Sequence, residues 1–249
     1  MPVRERSPYY NILIYGDSGV GKTTLAGSAD GVPSMRPVIF IDIEGGTQSL
    51  THSYPKVETV RVTTWKEMQA VYDELRLSTT HGYQTVVLDS LTEIQKFNMY
   101  WVMDEALKKR GPEKVEIDVP AMRDWGVSLE QIRKMVRGFR DLPLNTIFTA
   151  LMKDDKDVRT GITTMKPSLP GKLASEIAAF LDIVVYYYIK EMATPEGPVP
   201  KRFLLTQKTA QQVAKDRSGK LPLTIEAPTM TIINNLMKGV ANDVRTTES

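Results

Sequence analysis

The sequence predicts an α/β fold built on a mostly parallel sheet with helices on both faces. Three observations point to it. Short apolar runs recur at residues 11–15 (NILIY), 37–43 (PVIFIDI), 85–88 (TVVL) and 146–151 (TIFTAL). They are nearly continuous rather than alternating, as expected of strands buried on both faces. Stretches of helical spacing separate them, the order that builds a parallel sheet.

The elements follow in chain order. After the first run comes a glycine-rich loop, then helix-forming residues 23–29. Residues 57–62 (VETVRV) alternate and read as a strand. Thr64 and Glu67 fit a capping box ahead of Trp65, Met68, Val71, Tyr72 and Leu75, which repeat at helical spacing. Leu91, Ile94, Trp101 and Val102 suggest a helix after the third run. Residues 108–121 carry charges, Gly111, Pro112 and Pro120, and read as a loop. Trp125, Leu129, Ile132, Val136 and Phe139 mark an amphipathic helix. Residues 153–172 read as a polar loop and 173–180 as a helix. Residues 182–189 and 201–206 read as a C-terminal antiparallel strand pair around the turn 194–198. The expected organisation is one domain over residues 1–241 and a polar, frayed tail over 242–249.

Composition excludes several function classes. The chain has no cysteine, so a disulfide framework, a thiolate zinc site and a cysteine nucleophile are all ruled out. A net charge of +2 does not announce a nucleic-acid binder, so any such surface must be local. No apolar run approaches the roughly 20 residues needed to span a bilayer. The first residues carry no apolar stretch of a secretory signal. The expected address is the cytoplasm, with no membrane partner.

The chemistry is expected at the carboxyl ends of the strands, where such sheets bind ligands. Gly16-Asp17-Ser18-Gly19-Val20-Gly21-Lys22-Thr23 matches G-x-x-x-x-G-K-[ST], with Thr24 following. Its glycines let the backbone turn successive N–H groups onto an anion, and the helix behind presents its positive end. Lys22 would reach the β- and γ-phosphates, and the Thr23 hydroxyl would ligate Mg²⁺. A second Mg²⁺ contact is expected from an acid ending another buried strand, and Asp89 is that residue. The alternative for Asp89 and Ser90 is capping of the next helix. Hydrolysis also needs a group that orients or deprotonates water. Glu44 is the candidate, beside the phosphate loop if its strand neighbours the first, with Asp42 a weaker one.

These segments resemble RecA-like recombinases, and most of all the small phage-encoded RecA-like ATPases of single-strand annealing recombination. The resemblance rests on GDSGVGKTT, FIDIEGG, TVVLDS, and TIFTALMK followed by a polar loop and LASEIAAFLDIVV. It implies a RecA-like P-loop core, ATP and Mg²⁺ as cofactors, and Glu44 as the catalytic carboxylate. It implies that the loop after the fourth run contacts single-stranded DNA through Lys153, Lys156, Arg159, Lys166 and Lys172. The loop 108–123, with Lys108, Lys109, Arg110 and Lys114, is a second candidate. It further implies that Lys215 and Arg217 face the ATP of a neighbouring subunit, in a homo-oligomer that is a ring or a filament. A single-strand binding protein is a further expected companion. The sequence departs from the family at its polar sensor, where TIFTALMK offers Leu151 or Met152, with Thr149 as a substitute. A small-molecule kinase and a weakly hydrolysing, ATP-bound mediator are the competing readings.

Overall fold

The computed structural model describes residues 9–78, 80–110, 119–156, 161–195 and 197–240, and only the backbone of Arg110. Ten strands among them join one sheet, in the order β10-β8-β7-β1-β5-β4-β2-β3, with β6 (Thr163–Pro167) paired to β5 and β9 (Lys215–Asp216) to β7. The six central members are β7 (Ile183–Thr194), β1 (Asn11–Gly16), β5 (Asn145–Lys156), β4 (Thr85–Asp89), β2 (Val38–Asp42) and β3 (Glu58–Arg61). All pair in parallel. β8 (Gly197–Leu205) and β10 (Thr224–Glu226) add on antiparallel at the far edge. The predicted fold class holds: a mixed α/β sheet, mostly parallel, with antiparallel strands towards its C-terminal end.

Period-two alternation divides the strand residues between two cores. Leu13, Tyr15 and Phe148 face one side, under α3 (Trp65–Leu77), α4 (Leu91–Arg110), α5 (Met122–Arg140) and α6 (Leu173–Phe180). Ile12, Ile14 and Ile147 face the other, against α1 (Lys22–Gly27), α2 (Leu50–Ser53) and α7 (Met230–Lys238). α3 starts at the predicted capping box: the Thr64 hydroxyl accepts from Glu67 N–H, and the Glu67 carboxylate accepts from Thr64 N–H.

Two expectations need correction. The stretch after the fourth run is not simply a polar loop. β5 runs on to Lys156 and pairs antiparallel with β6 (Thr163–Pro167), from Met152 opposite Pro167 to Lys156 opposite Thr163. Threonines suit a half-exposed ribbon, and polar residues on both of its faces hid it from a hydrophobic pattern. The strand carrying Glu44 is also not the neighbour of the first, because β5 and β4 lie between β1 and β2. α7 and β10 add elements that the pattern did not reveal. α7 is capped by Thr229, whose hydroxyl accepts from Ile232 N–H.

β1 ends in a contact that only glycine permits. A Cβ on Gly16 would lie 2.1 Å from the backbone oxygen of Tyr187 on β7. Gly16→Ala must therefore push β7 away from the loop that follows. We expect a loss of about 1–3 kcal/mol in urea denaturation, the usual cost of overpacking, together with loss of nucleotide binding.

Candidate nucleotide site

The loop between β1 and α1 is shaped by backbone that side chains resist. Gly21, at the N-cap of α1, has φ 105°, a left-handed conformation that glycine adopts without strain. The loop curls around Lys22, which is 7% exposed. The Lys22 ammonium donates to the carbonyls of Gly16 (3.1 Å) and Asp17 (2.8 Å). Burial pushes its pKa down from the ordinary lysine value, while Glu44, Asp89 and Asp17 pull it back up. The loop thus holds a cation at its centre, with Asp17 in the loop itself and Glu44 and Asp89 near it at the ends of other strands.

Thr23 and Asp89 meet at the mouth. The Thr23 hydroxyl donates to Asp89 Oδ2 at 2.6 Å. The other carboxylate oxygen accepts from the Thr149 hydroxyl on β5. Asp89 is 1% exposed, and burial raises its pKa against the opposing effect of those hydroxyls and of Lys22. A hydroxyl and a carboxylate are hard oxygen donors, the chemistry Mg²⁺ selects. Two protein oxygens do not make a cage, so phosphates and water would supply the remaining ligands. The donor set therefore fits Mg²⁺ bound together with a polyphosphate.

Glu44 reaches the site by a route the sequence did not suggest. The chain leaving β2 leans over the end of β4, and Ile43 N–H (2.9 Å) and Glu44 N–H (3.3 Å) both donate to Asp89 O. The Ser90 hydroxyl donates to Glu44 Oε1. Glu44 thereby comes within electrostatic reach of Lys22 across two strands. Asp42 has a different surrounding. Its carboxylate accepts from Gly45 N–H (2.7 Å) and Thr47 Oγ1 (2.9 Å) and pairs with Arg61 (3.3 Å). Those contacts shape the turn that carries Glu44.

The remaining candidates lie away from the cradle. Lys215 on β9 (Lys215–Asp216) donates to the carbonyls of Ala178, Ala179 and Leu181 at 2.9, 3.1 and 2.7 Å. Arg217 pairs with Asp182 at 2.9 Å and donates to Ala179 O at 3.1 Å. Both cations serve the carbonyl end of α6, where positive charge is favoured. They sit beside the start of β7, at the opposite end of the strands from the chain's own phosphate loop. All three Lys215 donors are occupied there. In the β5–β6 hairpin, Lys153 turns inward to Leu169 O and Lys166 pairs with Asp155, whereas Lys156 and Lys172 are exposed. Arg159 and Lys114 lie outside the described residues.

Sequence reasoning missed Ser90 as a partner of Glu44. It also missed a cleft along the side of α1 marked by Gly21, Thr24 and Ser28. Tyr54, Tyr187 and Arg202 form other walls of that cleft. Arg202 Nε donates to Val20 O at 2.9 Å, tying β8 to the phosphate loop. No local motif signals contacts that β8 and the segment after α2 make only through the fold.

A glycine cradle, a buried lysine and a hydroxyl–carboxylate pair agree with the family match. A family model described as "AAA domain" covers residues 9–218. The chain belongs to this AAA domain family. It is accordingly a P-loop ATPase, and the family implies nucleotide binding at the loop just described. No curated protein matches the chain. Among solved structures, the AAA domain protein is similar to one described as a prototypical ATPase from the type III secretion system of pathogenic bacteria. Identity is 16% and the TM-score 0.41, over 75% of this chain and 52% of that one. The chain thus spans about half the length of that protein. Among the described residues no helix is long and apolar enough to cross a membrane.

Thr149→Val tests the arrangement around Asp89. It keeps the side-chain shape and removes one of two hydroxyls from a buried carboxylate. We expect a loss of about 1–3 kcal/mol in urea denaturation near neutral pH, with weaker Mg²⁺-dependent nucleotide binding.

Proposed function

We propose that this AAA domain protein hydrolyses ATP with Mg²⁺ and couples hydrolysis to the handling of single-stranded DNA in recombination or annealing. The observation that carries the first part is the Thr23–Asp89 pair at the mouth of the loop that encloses Lys22. Main-chain N–H groups and Lys22 would hold the β- and γ-phosphates, and Thr23 and Asp89 the metal side of the triphosphate. Mg²⁺, when bound, would neutralise charge developing on the phosphates. Glu44 would orient and deprotonate the attacking water. The cleft walled by Tyr54, Tyr187 and Arg202 would seat the nucleoside, because it opens directly beside Gly21 and Thr24.

The DNA part rests on the likeness of the motifs to RecA-like recombinases, the small phage-encoded ones in particular, and on one mechanical feature. β5 carries Thr149, which holds Asp89, and runs on into the hairpin bearing Lys156. Exposed Lys156 and Lys172 would neutralise phosphates and make binding salt-dependent. The proposal extends to a homo-oligomer in which Lys215 and Arg217 leave the end of α6 to face a neighbour's nucleotide, and to action beside a single-strand binding protein.

Lys22→Ala should abolish ATP binding in a fluorescent-nucleotide titration. Glu44→Gln should leave affinity within about twofold and slow turnover by about 10²-fold or more. Tyr54→Ala should weaken ATP about tenfold, the scale of one lost stacking contact. Turnover with and without single-stranded DNA separates the two parts of the proposal. Stimulation by DNA that fades as salt rises supports both. Equal rates with and without DNA, combined with full DNA independence of nucleotide binding, would leave an ATPase acting on something else.

A further inference from the structure

We propose that Ser90 is a positioning residue for hydrolysis, holding the Glu44 carboxylate in register with the metal-side aspartate. The proposal rests on the reading of Glu44 as the water-activating group.

Ser90 sits where α4 begins, and its carbonyl accepts the first helical bond, from Ile94 N–H at 3.0 Å. A serine there normally turns its hydroxyl onto a backbone N–H of the first helical turn. Among the described residues, the hydrogen bond of this hydroxyl goes to Glu44 Oε1 instead. Ser90 is fully buried, whereas Glu44 is exposed. An exposed glutamate has several freely rotating bonds, and its rotamers would otherwise scatter in water. The backbone bonds from Ile43 and Glu44 to Asp89 O fix where the residue stands but not where its carboxylate points. Two cations feel the charge of that carboxylate, Lys22 in the phosphate loop and Lys96 on α4, but both are bonded elsewhere, Lys22 to Gly16 O and Asp17 O and Lys96 to Glu93. The hydroxyl of buried Ser90, which donates to Glu44 Oε1, is what gives the carboxylate a direction. Because Ser90 follows Asp89 directly, the same two residues set the metal-side ligand and the direction of the water-activating group.

The test measures steady-state turnover, nucleotide affinity and melting temperature in Ser90→Ala, Ser90→Thr, Glu44→Gln and the Ser90→Ala/Glu44→Gln double variant. Ser90→Ala should lower kcat about tenfold to a hundredfold, the scale of a catalytic group displaced by about an ångström. The KM for ATP, the nucleotide Kd and the melting temperature should stay close to native. Ser90→Thr, which restores a hydroxyl, should recover most of the rate. In the Glu44→Gln background, Ser90→Ala should cost nothing further, because the group it positions is already disabled. Native kcat in Ser90→Ala overturns the proposal. So does a loss that repeats in full on top of Glu44→Gln, or one that appears as weaker nucleotide binding and a lower melting temperature. If Ser90→Ala is native but Glu44→Gln is slow, only the role of Ser90 falls. If Glu44→Gln itself turns over at the native rate, the hydrolytic reading of Glu44 falls and the role of Ser90 falls with it.

Discussion

The site is organised around one buried carboxylate. Asp89 ends β4 with almost no exposure, and an unpaired charge there would be costly. Four groups from three other parts of the chain prevent that cost or use the same residue as a support. Thr23 from the start of α1 and Thr149 from β5 bond the carboxylate. Ile43 and Glu44, leaving β2, bond its backbone oxygen. The phosphate loop, the strand beside it and the turn carrying Glu44 are therefore referenced to one residue. Displacing Asp89 disturbs all three at once. That is why a short stretch, TVVLDS, governs the geometry of segments up to 66 residues away in sequence.

Lys22 shows how the loop is arranged before any phosphate enters it. Its ammonium rests on two carbonyls of its own loop, at 3.1 and 2.8 Å. Burial disfavours the charge, and the three acids around it oppose that effect only in part. A triphosphate entering the loop would bring charge of the same sign as those acids. The ammonium, together with a cation carried onto Thr23 and Asp89 by the ligand, would then offset the repulsion that the acids alone would impose. The arrangement suits a ligand bound together with its own cation.

Much of this was legible in the sequence, for identifiable reasons. The buried strands announced themselves because both faces are covered, which forces continuous apolar runs such as Leu13-Ile14-Tyr15 and Val86-Val87-Leu88. The phosphate loop was legible because few backbones can enclose an anion, and Gly16 and Gly21 are required by the contacts and dihedral angles seen here. The β5–β6 hairpin was not legible, because Lys153, Asp155, Thr163 and Lys166 follow no hydrophobic period. Strand order was not legible either: nothing in PVIFIDI says that two strands separate it from the first. Ser90 escaped because an Asp-Ser pair before a helix reads equally well as a cap. Lys215 and Arg217 were read from the resemblance and their i, i+2 spacing, and both side chains reach the same carbonyl, Ala179 O. What spacing could not give is that partner, the carbonyl end of α6.

β5 is the element through which the nucleotide site could act at a distance. Up to Leu151 it is clamped between β1 on one side and, as far as Phe148, β4 on the other. Leu151 is further fixed through Thr92, whose hydroxyl accepts its N–H, and through Ser168, whose N–H its carbonyl accepts. Beyond that point the strand pairs only with β6. Pairing on both sides ends at Phe148, one residue before Thr149, and the two-stranded ribbon begins at Met152. A ligand shifts an equilibrium only by its differential affinity for two states. Thr149 thus joins Asp89 to a strand that leaves the sheet a few residues later as the β5–β6 ribbon.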